Sequence, residues 1–253
     1  MADTTIEEIF GSSLLAYWHA SDLAVGNGNA VSDWPDRKNS ISMLQATGGL
    51  QPLQIDNYAS SGYPAAQFDG TDDYLITTDA SLNVTKYAIL AAVKQNTAAA
   101  ADTVYAVGSS GYCRLMANSS TIGDFRLQET SLSTSGAASG SSGINVVAGR
   151  CQADGYLWIE NGPSVGSLVG STTITASATH YMGCRPGPSQ YFDGGVFAIA
   201  FVDLAECAWY DVIKGLVQMR SDFGLAIYDP LPQAPAGGTS GFTGIRGVGA
   251  LGT

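Results

Sequence analysis

The stretch FDGTDDYL sets Asp69, Asp72 and Asp73 within five residues, with Gly70 to permit a sharp turn. Three carboxylates this close could supply oxygen ligands to calcium, an ion that takes about six or more. Aspartates in such a turn also accept hydrogen bonds from loop amides and fix a hairpin without metal. Nothing else in the sequence completes a calcium shell, so the turn is the favoured reading, calcium is the alternative, and no other cofactor is expected. A second group is Trp34 beside Asp33 and Asp36. Sugar sites stack a ring on an exposed Trp or Tyr next to hydrogen-bonding Asp or Asn, and Trp34 with its two aspartates is the best single candidate for a glycan contact. Tyr63, Tyr181 and Tyr191 are further aromatics, whereas Trp18, Trp158 and Trp209 sit in patterns that read as core. A hydrolytic triad would join His19 or His180 to a serine and a carboxylate, but there is no GxSxG elbow. His19, between Trp18 and Ala20, reads as a hydrogen-bonded edge residue.

Bulk composition narrows the partners. The 253 residues are 45% hydrophobic and only 13% charged, with a formal net charge of −11. A chain this long can bury a large core, and its surface must be mostly small neutral residues. Lysine occurs only at 38, 86, 94 and 214, with no basic cluster to hold phosphates, so nucleic acid is not an expected partner. No apolar run is long enough to span a bilayer, and MADTTIEEIF has no apolar segment of the secretory kind. The four cysteines at 113, 151, 184 and 207 form no CxxC pair, and the expectation is isolated buried thiols in a reducing compartment.

These side chains must be positioned by strands. From about residue 14 to 202 the text breaks into short runs such as LLAYWHA, PAAQFD, YAILAAVKQ, TVYAVGS, INVVAGRCQA, YLWIEN and GVFAIAFVD, bounded by DG, NG, GG and SG pairs. Residues 88–93 and 196–202 are apolar on both faces and belong in a sandwich interior. Many antiparallel strands without intervening helices imply two packed sheets. Before them, Thr5 and Glu8 form a capping box for a short helix carrying Ile6, Ile9 and Phe10 on one face. After them, Asp203 with Glu206 predicts a second helix with Trp209, Ile213, Leu216 and Arg220 along one side and a stop at Gly224. The loops 96–102 and 131–143 are low in complexity and read as exposed connections.

Several segments resemble a known family. LLAYWHASDL, VSDWPDR and YPAAQFDGTDDYLITT resemble the opening of concanavalin A-like, laminin-G-like jelly-roll domains, which recur in phage and prophage structural proteins. YLWIENG resembles a strand and turn of that family, and HYMGCRPG, YFDGGVFAIAFVD and the capped helix ending in FGL resemble its closing strands and terminal helix. The resemblance spans about residues 14–225. It departs at His19, where the family has Asp, and at Pro35, inserted before Asp36 and Arg37, so an ion or sugar site near the first strand is not carried over. The implied fold is all-β: a two-sheet antiparallel jelly-roll sandwich, concanavalin A-like, with a short N-terminal helix, one C-terminal helix and an extended C-terminal arm. Residues 1–13 are the helical lead, 14–228 the jelly roll and 229–253 the arm. Glycosidases of this fold carry carboxylates alternating along one strand, about 5 Å apart as acid and nucleophile. No ExDxxE run is present, and the expectation is that the chain is not an enzyme.

The last segment ends in GFTGIRGVGALGT, where Phe242, Ile245, Val248 and Leu251 recur at every third position. Prolines 230, 232 and 235 and the glycines beyond them cannot build a core. A polyproline-II strand has three residues per turn, so these four residues would line one edge and dock on a neighbouring subunit. The expectation is therefore a bacteriophage virion structural protein, assembled in the host cytoplasm. It would be a capsid decoration protein held by its arm to other virion proteins, the major capsid protein or tail proteins, and to copies of itself. The alternative is a carbohydrate-binding module or tail-fibre component that recognises a glycan.

Overall fold

The computed structural model describes residues 4–98, 102–108, 113–117, 121–129, 136–138, 142–151, 156–161, 164–169 and 179–226. The arm at 229–253, with Phe242, Ile245, Val248 and Leu251, lies outside the described residues. In chain order the strands are β1 (Leu14–His19), β2 (Asp33–Pro35), β3 (Ser42–Leu44), β4 (Leu53–Ile55), β5 (Ala65–Asp69), β6 (Leu75–Thr77), β7 (Tyr87–Gln95) and β8 (Thr103–Val107). They continue with β9 (Cys113–Ala117), β10 (Phe125–Glu129), β11 (Gly136–Ala138), β12 (Asn145–Cys151), β13 (Tyr156–Asn161), β14 (Ser164–Val169), β15 (His180–Met182) and β16 (Asp193–Asp203). Helix α1 is Ile6–Phe10 and helix α2 is Trp209–Asp222.

The strands form two antiparallel sheets, as the sequence predicts. The first has the order β14-β13-β12-β7-β16-β5-β4, the second β11-β10-β9-β8-β15-β6-β3-β2. Strand β16 is long enough to serve two partners on one side: β5 pairs with its first residues and β1 with its last, while β7 runs along the other side. Between the sheets lies a core that includes Trp18, Trp34, Phe68, Tyr87, Tyr105, Phe125, Met182, Phe192 and Phe201. Strands β7 and β16 are buried on both faces, because a second cluster covers the outer side of their sheet. There Leu90, Ala92, Phe197, Ala200 and Val202 meet Ile6, Phe10, Val212, Leu216, Met219 and Phe223 of the helices and their flank. A register shift between Val196 and Ala198 turns Phe197 and Ala198 together toward the helices while Val196 and Ile199 stay inside.

Helix α1 closes with the capping box: Thr5 Oγ1 accepts the Glu8 amide at 3.2 Å, and Glu8 Oε2 accepts the Thr5 amide at 2.9 Å. Five residues cannot hold a helix alone, so burial of Ile6 and Phe10 fixes it. Lys38 clamps its exit, donating from Nζ to the Leu14 carbonyl at 2.6 Å and to that of Gly11. Helix α2 begins later than the sequence suggests. Asp203 is still paired in β16, and its carboxylate accepts the Ala205 amide at 2.8 Å, fixing a turn ahead of the helix. Ala208 is the N-cap, with no side-chain cap. The end is as expected: Gly224 sits at φ 63°, and the amides of Gly224 and Leu225 bond back to Ser221 and Arg220.

One cysteine expectation is corrected. Cys113 is disulfide-bonded, and Cys184 and Cys207 are free thiols. Disulfides depend on approach in space, so the lack of a CxxC pair could not exclude one. Burial pushes the Cys184 thiol up to about 12 and that of Cys207 to about 11, which leaves both unreactive as nucleophiles near neutrality. Among the described residues no helix is long and apolar enough to cross a membrane.

The helix pair meets at Gly215, where a Cβ would enter the Phe10 ring and come within 3.1 Å of Leu90 Cδ2. Gly215→Ala should therefore cost about 1–3 kcal/mol, as overpacking does, despite alanine's better helix propensity. Equilibrium urea unfolding measures it; an unchanged midpoint would show that α1 is not seated on α2.

Candidate functional site

Trp34 is not where a sugar could stack on it. It is fully buried between the sheets, and its indole nitrogen donates to the His19 carbonyl at 3.3 Å. In β2 the side chains alternate, and the larger apolar one turns inward, leaving Asp33 and Pro35 exposed. Asp36 is buried too, and its carboxylate accepts the amides of Lys38, Asn39 and Ile41 at 2.9, 2.9 and 2.5 Å. The trio proposed as a glycan contact is thus a core residue, a loop anchor and one exposed carboxylate. Trp18 is core as predicted, its indole donating to Ile41. The side chains of Trp158 and Trp209 lie outside those described.

The acidic turn is brought together. Ligand oxygens of Asp69, Asp72 and Asp73 lie within 4.8 Å of one another. Gly70, at φ 75° and facing Asp193, allows the chain to fold back over the sheet. Asp69 Oδ1 accepts the amides of Thr71 and Asp72 at 2.8 and 3.3 Å, and Asp73 Oδ2 accepts the Asp69 amide at 3.0 Å. This is the hairpin-fixing role read from the sequence. Burial first, and the charge of Asp69 next, push the Asp73 carboxyl up to about 7. The Asp73 carboxyl thus keeps its proton close to neutrality and has the character of a proton donor.

A cleft of about 380 Å³ opens between α1, β1 and α2, lined by Thr4, Glu7, Tyr17, His19, Arg37, Gln218 and Asp222 among others. Alternation in LLAYWH positions its floor. Trp18 points into the sandwich, so Tyr17 and the flanking His19 reach toward the helices. Tyr17 is 2% exposed, yet among the described residues its hydroxyl has no hydrogen-bond partner. Burial, and then the charge of Asp222, hold that hydroxyl protonated far above its usual range. His19 stacks on Phe223, with ring centroids 5.6 Å apart, and its Nδ1 meets Ser21 Oγ at 2.8 Å, as its edge reading anticipated. Burial and the nearby Arg37 lower His19 to about 4, so the ring is neutral at pH 7. Arg37 covers the Tyr17 ring, its Cζ 5.4 Å from the centroid. Two hydrogen bonds of 2.6 and 3.1 Å tie it to Asp22. Sequence reading passed over this group because its members come from four separated segments, joined only when the helices dock. The alternation that buries Trp18 was the signal that Tyr17 faces the other way.

His180 is also buried, bonded through Nδ1 to the Tyr105 hydroxyl at 2.9 Å; burial lowers it to about 3, and among the described residues no serine or carboxylate joins it in a triad.

No protein-family model matches the chain, and no curated protein sequence matches it either. Solved structures do match. An arabinofuranosidase complexed with arabinofuranosyl-α-1,2-xylobiose aligns with a TM-score of 0.60 at 12% identity, over 85% of this chain and 64% of that one. Trypanosoma rangeli sialidase in complex with sialic acid aligns at 0.59 and 10% identity, over 85% and 34%. Domain 4 of AbnA, a GH43 extracellular arabinanase from Geobacillus stearothermophilus, in complex with arabinotriose, aligns at 0.54 and 12% identity, over 76% and 92%. The chain thus spans about a third of the sialidase. At these identities the likeness shows the fold. The neighbours are carbohydrate-active β-sandwich proteins, and none of them bears on the virion expectation. They also overturn the expectation that the chain is not an enzyme: these neighbours are glycoside hydrolases or parts of them, so the missing ExDxxE run does not remove enzymatic chemistry from this fold.

Asp73 sets a pH dependence. Its folded-state carboxyl titrates near 7, above the usual 3.8, so the unfolded chain loses this proton first as pH rises. Its stabilising share is complete below about pH 4 and is lost as pH climbs through about 7. Asp73→Asn keeps an oxygen for the Asp69 amide and removes the titration. Thermal melts should show the variant more stable than the parent at pH 8 and no more stable at pH 4; parallel curves would refute the assignment.

Proposed function

We propose that the chain is a carbohydrate-recognising β-sandwich that uses the cleft between α1, β1 and α2. The observation that carries this reading is the alignment with almost all of domain 4 of AbnA, a domain complexed with arabinotriose. With the sialidase, by contrast, only about a third of the partner is matched. The cleft supports the reading because it falls within the size of small-molecule sites and offers side-chain hydroxyl, amide and carboxylate groups of the kind that hold sugar hydroxyls. Calorimetry with neutral, acidic and amino oligosaccharides tests it, with chromatography of the same mixtures for products. Binding of at least one class is expected, and no heat from any of them sinks the proposal. Product release would place the chain among the hydrolases.

A second reading is favoured by the tail: the period of three in Phe242, Ile245, Val248 and Leu251 suits an arm that docks along a neighbouring subunit of a virion. A chain truncated after Pro232 should fold with an unchanged melting temperature and fail to join particles. Normal incorporation would remove the arm from the proposal.

A further inference from the structure

The outer face of the second sheet carries a group of side chains that the cleft does not use. His180 and Met182 are buried, so Tyr181 between them points away from the core. Leu75 and Met43 turn inward in the same way, which sets Tyr74, Ile76 and Leu44 on the side of Tyr181. Tyr181 pairs with Ile76, and Ile76 with Leu44, so one row crosses three strands and ends at Leu44, which is 48% exposed. The helices cover the other sheet, while Tyr74, Ile76 and Tyr181 are half-buried. Tyr191 lies close by: burial first, then the Cys184 thiol and Tyr74, hold the hydroxyls of both Tyr181 and Tyr191 above their usual range. Among the described residues none of these three tyrosine rings is stacked on another ring or covered by a cation.

The Gly187 backbone meets the Tyr181 hydroxyl, which brings the turn 185–189 to the tip of that ring. Arg185 closes this turn, its amide donating to the Ser189 carbonyl at 3.0 Å. Its guanidinium donates from Nε to Ser189 Oγ at 2.7 Å and from Nη1 to Gln190 Oε1 at 3.5 Å. Both acceptors are neutral, and Arg185 forms no ion pair among the described residues. In a chain where acidic residues outnumber basic ones by 22 to 11, a half-buried arginine without a carboxylate is an exception. Gln190 Oε1 accepts Arg114 Nη1 as well, so the amide oxygen is committed to the arginines and its nitrogen keeps two donors without a protein partner. Gln190 is held at φ 53°, a conformation that a non-glycine residue keeps only when its surroundings fix it.

We propose that this face binds an acidic oligosaccharide, with a uronate ring stacked on Tyr181 and its carboxylate on the Arg185 guanidinium. Arg185 Nη2 and Gln190 Nε2 are the donors left for it, the first to the carboxylate and the second to a ring hydroxyl. Open tyrosine faces suit the C–H side of a sugar ring, and a planar guanidinium suits a carboxylate. Asp72, which neighbours Tyr191, repels an anion at that end and so directs the charge toward Arg185. The inference rests on the carbohydrate reading of the chain but not on the cleft between the helices, which it leaves to other sugars.

Isothermal titration of the full chain with trigalacturonate and with galactotriose, which has hydroxymethyl groups in place of the carboxylates, separates the outcomes. Trigalacturonate is expected to bind about tenfold more tightly, roughly the difference one charge-assisted hydrogen bond makes. A net charge of −11 opposes diffuse attraction of an anion, so such binding is local. Arg185→Gln keeps the backbone bond to Ser189, so it should melt as the parent does and bind trigalacturonate about tenfold more weakly. Tyr181→Ala should weaken it as well, and Lys214→Gln, which removes an exposed cation on α2, should leave it unchanged. If galactotriose binds equally well, the acidic assignment falls and the carbohydrate reading stands. Trigalacturonate binding that Arg185→Gln and Tyr181→Ala leave untouched belongs to another surface and overturns the proposal. Binding of neither trimer overturns it too, and the wider sugar panel then judges the cleft alone. Preference for a glutamate-rich peptide over trigalacturonate would make the face a protein contact, which also overturns it.

Discussion

Strands β7 and β16 are apolar on both faces, so their sheet cannot leave either side in water. One face is satisfied by the opposing sheet. The other needs a separate cover, and the chain supplies it from its two ends of the described fold: a five-residue helix before the first strand and a fourteen-residue helix after the last. Burying a side chain such as Ile6 or Phe10 contributes roughly 1.5–3 kcal/mol, enough to hold a helix that could not persist alone. Because α1 and α2 must approach closely to seal this face, a glycine stands at their crossing. Where they part, beyond Tyr17, the seal ends and a cleft begins. The candidate site is thus the margin of a packing solution.

Much of this was legible from the residues alone. Apolar runs that do not alternate, such as YAILAAVKQ and GVFAIAFVD, could only be strands covered on both sides. The spacing of Thr5 and Glu8 announced the first helix, and Gly224 the end of the second. What misled were short-range patterns whose meaning depends on distant parts of the chain. Asp203 and Glu206 look like a cap, yet β16 extends far enough to occupy Asp203. Trp34 flanked by aspartates looks like a sugar platform, yet a three-residue edge strand has one inward position and the indole takes it. Cys113 gave no local sign of its bond. Tyr17 and Trp18 are neighbours in sequence with opposite destinations, and only the placement of two remote helices decides which of them borders the cleft.

The two acidic groupings also differ in what they can do. In the Asp69–Asp72–Asp73 turn the carboxylates of Asp69 and Asp73 accept backbone amides, and crowding is relieved by protonating Asp73. Around the cleft the carboxylates come from separate elements, and Gln218 donates to that of Asp222. Local contacts organise the turn, whereas the cleft is assembled only when separate elements converge. Proximity in sequence drew attention to the first, and fold geometry produced the second.

The buried titrating groups carry a consequence for behaviour in acid. Asp73 and Asp102 keep protons in the folded chain up to about 7 and about 6. His19 and His180 refuse them down to about 4 and about 3. Between roughly pH 4 and 6, unfolding would release two protons from the aspartates and take up two on the histidines, so these four groups exchange no net protons with the solvent. The molecule is thereby buffered in the thermodynamic sense across mildly acidic conditions, although each of the four alone would make it sensitive there.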